Sequence, residues 1–218
     1  MGLLRSWSPA VLLVVLLTFA ASPAGAQTCA GRTSFNLAPT HFGLDAGTNG
    51  SGRGFGGSVG YGTDALFGIV SGATHAVSGA GSVEGLVLTL ATDQPLSPDN
   101  KLHVCPMITV GYVSDSNSAT GHGVRIGASA AADASMLTMN TPRMRVIPTI
   151  GIDLRFNGVG RTASLFAQDA SRNDSTFSAG IGFVIWNRLS LVPRVVIPFD
   201  SVTQSGLLMT VGYNLLRR

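Results

Sequence analysis

The stretch that decides the fold is Met144-Arg-Val-Ile-Pro-Thr-Ile-Gly-Ile-Asp-Leu-Arg-Phe156. Met144, Val146, Pro148, Ile150, Ile152, Leu154 and Phe156 share one parity; Arg145, Ile147, Thr149, Gly151, Asp153 and Arg155 share the other. A period of two marks a β-strand, because successive side chains point to opposite faces. The apolar face persists along the whole stretch. That is longer than the usual soluble strand of about 5–6 residues and sufficient for the roughly 9–11 tilted residues that cross a bilayer. The opposite face carries two arginines and an aspartate. Such a strand suits a closed barrel with lipid outside and a polar lumen.

Working outward from it, the same alternation recurs. Phe177, Ala179, Ile181, Phe183 and Ile185 oppose Ser178, Gly180, Gly182, Val184 and Trp186; Leu207, Met209, Val211, Tyr213 and Leu215 oppose Leu208, Thr210, Gly212 and Asn214. Ten strands are predicted, at 41–48, 53–62, 65–76, 82–92, 102–113, 121–131, 144–156, 176–186, 189–198 and 205–215, with eight as the alternative count. If they run up and down in turn, the tight turns at 63–64 and 187–188 share one end. The longer polar segments 114–120 and 157–175 share the other. Short periplasmic turns and long external loops are the habit of membrane barrels. The connections 92–101 and 132–143 are long for the periplasmic end.

Proline recurs at the fifth residue of three upward strands, as Pro106, Pro148 and Pro193. Lacking the ladder donor, proline belongs near strand beginnings or bulges, which puts all three near the periplasmic rim. A repeat of this period also fits propeller blades, but blades need four strands per repeat and only two fit here.

The first residues set the compartment. Arg5 precedes an apolar run at 11–20 and the small-residue site Ala24-Gly25-Ala26, the pattern of a secretory signal cleaved before Gln27. An uncleaved anchor would need roughly 17–25 apolar residues. The expected organisation is a signal peptide at 1–26, a periplasmic lead-in at 27–40 and a β-barrel domain at 41–218.

Composition agrees. Charged residues make up 11% of the chain, against a typical quarter or so, and glycines number 28. A soluble protein with so few charges would be poorly solvated, whereas a lipid-facing surface does not need them. The formal net charge of +3 is small, and the basic residues are scattered with a single lysine, Lys101, so nucleic acid is not an expected partner.

The signal, Cys105-Pro106 after a short apolar lead, the glycine-rich alternating strands and the final strand Leu207 to Leu215 resemble the small outer-membrane β-barrel proteins of Gram-negative bacteria. The resemblance implies an all-β, up-and-down antiparallel transmembrane-type barrel in the bacterial outer membrane. Its partners would be outer-membrane lipid and the barrel assembly machinery.

Two cysteines in an exported chain invite a disulfide, Cys29 to Cys105, both on the periplasmic side of this topology. The rival, lipidation of Cys29, wants a small residue immediately before it and finds Thr28. A lumen charge cluster is expected from Arg125, Arg145, Asp153, Arg155 and Arg194, with Glu84 as a further member. Arg125 and Asp153 are expected to face each other from consecutive strands. In a water-soluble sandwich the same face would meet solvent, so that fold remains an alternative.

No catalytic, cofactor-binding or metal-binding set is predicted. Gly56-Gly-Ser58-Val-Gly60 matches a nucleophile elbow, which needs a strand-to-helix turn, but it lies inside an alternating strand. Gly158-Val-Gly160-Arg-Thr-Ala163 matches a dinucleotide fingerprint without a βαβ unit around it. His41, His75, His103 and His122 are dispersed. Three function classes remain: a barrel with a structural or surface-interaction role whose loop 157–175 meets an extracellular ligand, a narrow anion-preferring channel, and a soluble periplasmic β-protein or rim-site enzyme.

Overall fold

The computed structural model describes residues 29, 38–50, 52–78, 81–116, 123–157, 159–160, 175–199 and 205–215. The predicted signal peptide, most of the lead-in and residues 161–174 lie outside the described residues.

In chain order the strands are β1 (Thr40–Asn49), β2 (Gly52–Thr63), β3 (Leu66–Val77), β4 (Gly81–Ala91), β5 (Gln94–Pro95) and β6 (Leu102–Asp115). They continue as β7 (Gly123–Met136), β8 (Met139–Asn140), β9 (Met144–Phe156), β10 (Ser175–Ile185), β11 (Leu189–Pro198) and β12 (Gly206–Leu215). Ten are long, and each pairs antiparallel with the next long strand. The ring closes where β1 meets β12, from Thr40↔Leu215 to Asn49↔Gly206. Closure pairs each of the ten long strands on both sides, as a lipid environment requires. It also sets aside the eight-strand count and the two-sheet sandwich.

The start of β1 and the end of β12 define the terminal rim, where the turns at 64–65 and 186–188 also lie. In the second turn Arg188 N donates to Ile185 O at 3.0 Å, with Trp186 and Asn187 at φ 49° and 57°. Two positive φ values make a type I′ turn, whose twist matches that of the flanking strands. The connections that looked long for this rim are folded onto it. β5 pairs with β6 through Gln94↔Val104 and Pro95↔His103, and β8 pairs with β9 through Met139↔Val146 and Asn140↔Arg145. Both continue the sheet as flaps past the rim.

On β9 every even-numbered residue faces out and every odd-numbered one faces in, as the alternation requires. Around the whole barrel, the outward positions of the described strands carry only two charges, Arg53 and Glu84. Glu84 is therefore not a lumen residue, contrary to the sequence expectation. It opposes Thr74 and Ser114 on the outer face near the far rim; inside and outside alternate strictly along β4, and 84 has the outward parity.

The aromatic side chains sort to the two ends of the outer face. Phe42, Tyr61, Phe183, Trp186 and Tyr213 lie toward the terminal rim; Phe55, Tyr112, Phe156, Phe177 and Phe199 lie toward the far rim. Only Phe67, among the described aromatics, is turned inward and buried. Two aromatic girdles around an apolar band are what a transmembrane barrel presents to the bilayer interfaces.

Pro106, Pro148 and Pro193 all face outward in the terminal-rim half of their strands. In a ring without edges each proline removes a ladder donor. The effect is visible at Pro193, where the β10–β11 ladder skips from Gly180↔Arg194 to Phe183↔Leu191.

Candidate functional site

The lumen is the concave part of the molecule, and its wall is more apolar on one side than on the other. β3, β4 and β6 turn Phe67, Ile69, Val83, Val87, Met107 and Val113 inward, all buried. β7, β9, β10, β11 and β12 turn in Ser129, Asp133, Thr149, Asp153, Arg155, Thr176, Ser178, Ser190, Arg194 and Thr210. β2 contributes mainly glycines, at 54, 56, 60 and 62, with Ser58 among them. The G-x-S-x-G sequence is thus a lumen wall: Ser58 Oγ donates at 3.5 Å to the carbonyl of Gly43, its cross-strand partner on β1.

In the terminal half of the barrel Cys29 lies inside the ring. Cys29 is buried and joined to Cys105, with a Cα–Cα distance of 5.6 Å. It sits among Phe67, Ile69, Ala91, Met107 and Ala131. The parity of β6 explains the pairing, since odd residues face in and Cys105 meets Cys29 inside the barrel. Above it, Thr89 and Thr109, cross-strand partners, hydrogen-bond at 2.8 Å.

Toward the far rim the chain re-enters. Asn157, at φ 56°, turns the backbone inward after β9, and its Nδ2 donates to Ile126 O at 3.1 Å. Asparagine tolerates this left-handed conformation better than most residues. Val159 is then fully buried against Val83, Val87 and Val113. Ala73 packs on that cluster and also on Val196 and Leu208 of the opposite wall, so side chains meet across the lumen at this level. Gly160 follows, where a Cβ would stand 2.8 Å from Asp153 Oδ2. The segment predicted as a purely external loop therefore begins by filling the barrel.

The charged residues form two neighbouring ion pairs on the polar wall. Arg155 Nε lies 3.2 Å from Asp153 Oδ2, two residues along the same strand. Arg194 Nη1 reaches Asp133 Oδ2 at 3.3 Å, passing from β11 over β10 and β9 to β7. Glycines clear that path: a Cβ on Gly180 would stand 2.7 Å from Arg194 Cγ, and Gly151 is the cross-strand partner of Asp133.

The five residues of the predicted cluster are not one group. Asp153, Arg155 and Arg194 lie on this wall together with Asp133. Arg125 is six positions from the residue that faces Asp153, which is Ala131, so the expected Arg125–Asp153 pair is not formed. Parity fixes the face but not the register, and the β8 flap between β7 and β9 sets a register that parity alone does not reveal. Arg145 belongs to the terminal rim, where its Nε donates to Asn140 Oδ1 at 3.2 Å. Sequence reasoning missed Asp133 because β7 was ended at 131. The signal was present, since Asp133 has the same parity as Arg125 in an alanine-rich run.

Among the described residues, His103 pairs with Asp93. His103 Nδ1 lies 2.8 Å from Asp93 Oδ1 and Nε2 lies 3.2 Å from Asn100 O, with both side chains buried. Its second nitrogen meets a backbone carbonyl, not a hydroxyl, so the pair fastens the 92–101 connection to β6. Among the described residues no three metal-ligating side chains converge.

No family model matches the chain, and no curated protein resembles it in sequence at a significant level. Solved barrels do resemble its backbone. KdgM porin aligns over 80% of this chain and 99% of its own, at 7% identity and a TM-score of 0.45. The N-terminal β-barrel domain of Pseudomonas aeruginosa OprF aligns over 81% and 96%, at 11% identity and 0.34. Neisserial surface protein A aligns over 81% and 94%, at 10% identity and 0.35. What these resemblances share with the chain is fold. The closed ring, the apolar belt and the paired girdles make it an outer-membrane-type β-barrel.

Proposed function

We infer that the chain is a closed outer-membrane barrel with a structural or surface-interaction role, its lumen occupied by its own side chains. The observation that carries the reading is Ala73, which packs against the Val83–Val87–Val113–Val159 cluster and against Val196 and Leu208 at the same time. Barrel width supports it, because about 8 strands leave a filled interior and roughly 16–18 leave an aqueous channel. Cys29, buried beside Cys105 among Phe67, Ile69 and Met107, fills further space inside the ring. The partners in this reading are outer-membrane lipid, the assembly machinery and an extracellular ligand met by the 157–175 segment. No catalysis is assigned.

A narrow anion-preferring channel is the second reading. It is favoured by the arginines that turn inward at 125, 145, 155 and 194, set among the described strand side chains against aspartates at 45, 133 and 153. Planar-bilayer recording separates the two. Silence from the purified chain, with conductance appearing in Val159→Asp, is expected of the closed barrel; steady anion-selective conductance from the unaltered chain overturns it.

A further inference from the structure

The outer wall is not uniform. Across five adjacent strands, β10, β11, β12, β1 and β2, it is recessed into an open groove of about 890 Å³. The recess follows from side-chain size along two neighbouring cross-strand rows. In one, Arg53 opposes Thr48, Thr48 opposes Leu207, Leu207 opposes Val195 and Val195 opposes Ala179. In the other, Ala46 opposes Met209, which opposes Pro193. Ala46 and Ala179, the smallest outward side chains of the two rows, give the groove its depth. From β10 to β2 the groove extends about 19 Å, four strand spacings of ~4.8 Å.

Its surroundings specify an occupant. The groove lies within the lipid-facing band, so whatever fills most of it is apolar. One end carries Arg53, the only outward cation on the described strands, exposed near the far rim. A cation at one end of a long apolar trough complements an acyl chain whose headgroup is a phosphate.

We propose that this groove is a binding site for one anionic phospholipid, its acyl chain lying across β10 to β1 and its phosphate, uncompensated by a headgroup cation, held by Arg53. Arginine suits the role through its forked donors, which match phosphate oxygens. The site rests on the lipid-facing assignment of the belt, and is independent of whether the lumen conducts.

Native mass spectrometry of the full chain tests it, using micelles that contain equimolar phosphatidylglycerol and phosphatidylcholine with matched acyl chains. One phosphatidylglycerol should be retained about fivefold over phosphatidylcholine, the ratio one basic residue near a lipid surface supports. Arg53→Gln should erase that preference, and Ala179→Trp should lower retention of both lipids. Ala46→Leu, a milder filling, carries the same reading if tryptophan blocks folding. Equal retention by the unaltered chain, a preference that survives Arg53→Gln, binding untouched by filling the groove, or a dimer mass without lipid each overturns the proposal. Heat-modifiable migration is recorded in parallel: a chain that never folds into micelles contradicts the lipid-facing belt itself, whereas a folded barrel without lipid preference contradicts only the groove.

Discussion

Arg194 on β11 and Asp133 on β7 are joined by an ion pair of 3.3 Å that spans two intervening strands along the inner wall, with both side chains almost wholly buried. A buried pair is weak evidence for net stability, yet removing one partner is costly because the remaining charge keeps its desolvation. Asp133→Ala is expected to lower the unfolding free energy by about 3–5 kcal/mol. Replacing both partners, as Asp133→Leu with Arg194→Met, should recover most of that loss. Urea unfolding in micelles measures it, and a double variant no better than the single one would contradict the pairing.

The disulfide closes a sequence separation of 76 residues. In the chain-entropy account, a loop of that size is worth roughly 4–5 kcal/mol. Cys105→Ser should show a loss of that order, reduced by whatever packing Cys29 retains among Phe67, Ile69 and Met107. Thiol titration of the unfolded, unreduced chain should find no free thiol; two would mean that the bond is absent.

Asp99, on the exposed 92–101 connection, is held at about 2, well below its ordinary 3.8, first by a hydrogen bond from the Ser97 side chain and then by Lys101. The Lys101 ammonium stands 3.0 Å away. A depressed carboxylate contributes stability that is complete above its unfolded value and is lost as pH falls through its folded one. The contribution of Asp99 should therefore fade between about pH 4 and 2. Because the group is fully solvated, the clearest readout is its own titration by NMR. Ser97→Ala should move the midpoint up toward 3.8, and a midpoint that stays near 2 in that variant would remove Ser97 as the main cause.

Most of the architecture was legible because it depends on a single binary signal. Where parity alternates cleanly, as on β9, β10 and β12, the strand bounds and the inner and outer faces follow directly from residue type. What parity does not contain is register, and there the reading of Arg125 against Asp153 failed. The re-entrant Val159 and the lumenal position of Cys29 were also illegible. Each depends on where a short irregular segment passes relative to the completed ring, which no local pattern encodes. Asp133 lies between these cases: its parity was readable, but small alanines on both sides hid the continuation of β7. The girdles were hidden for another reason. Aromatic residues are only 7% of the chain, and their meaning lies in their height on the strands, which appears once the strands are aligned.

Ile150 offers the sharpest test of the environment. It lies in the middle of β9, faces outward and is about half exposed, at 55%. Its cross-strand partners are Ala134 on β7 and Ala179 on β10, so an arginine there would meet no steric barrier. Only the surrounding medium decides its fate. In water, Ile150→Arg would exchange an exposed apolar side chain for a solvated one and cost little. At the midplane of a bilayer the same change costs about 2–4 kcal/mol on a lipid-facing barrel position. The expected outcome is slower insertion into liposomes and a lower unfolding free energy for Ile150→Arg, while Val124→Arg, at an exposed outward position opposite Ser114 at the far-rim start of β7, changes little. Equal stability of Ile150→Arg and the unaltered chain in liposomes would mean that the apolar band does not face lipid.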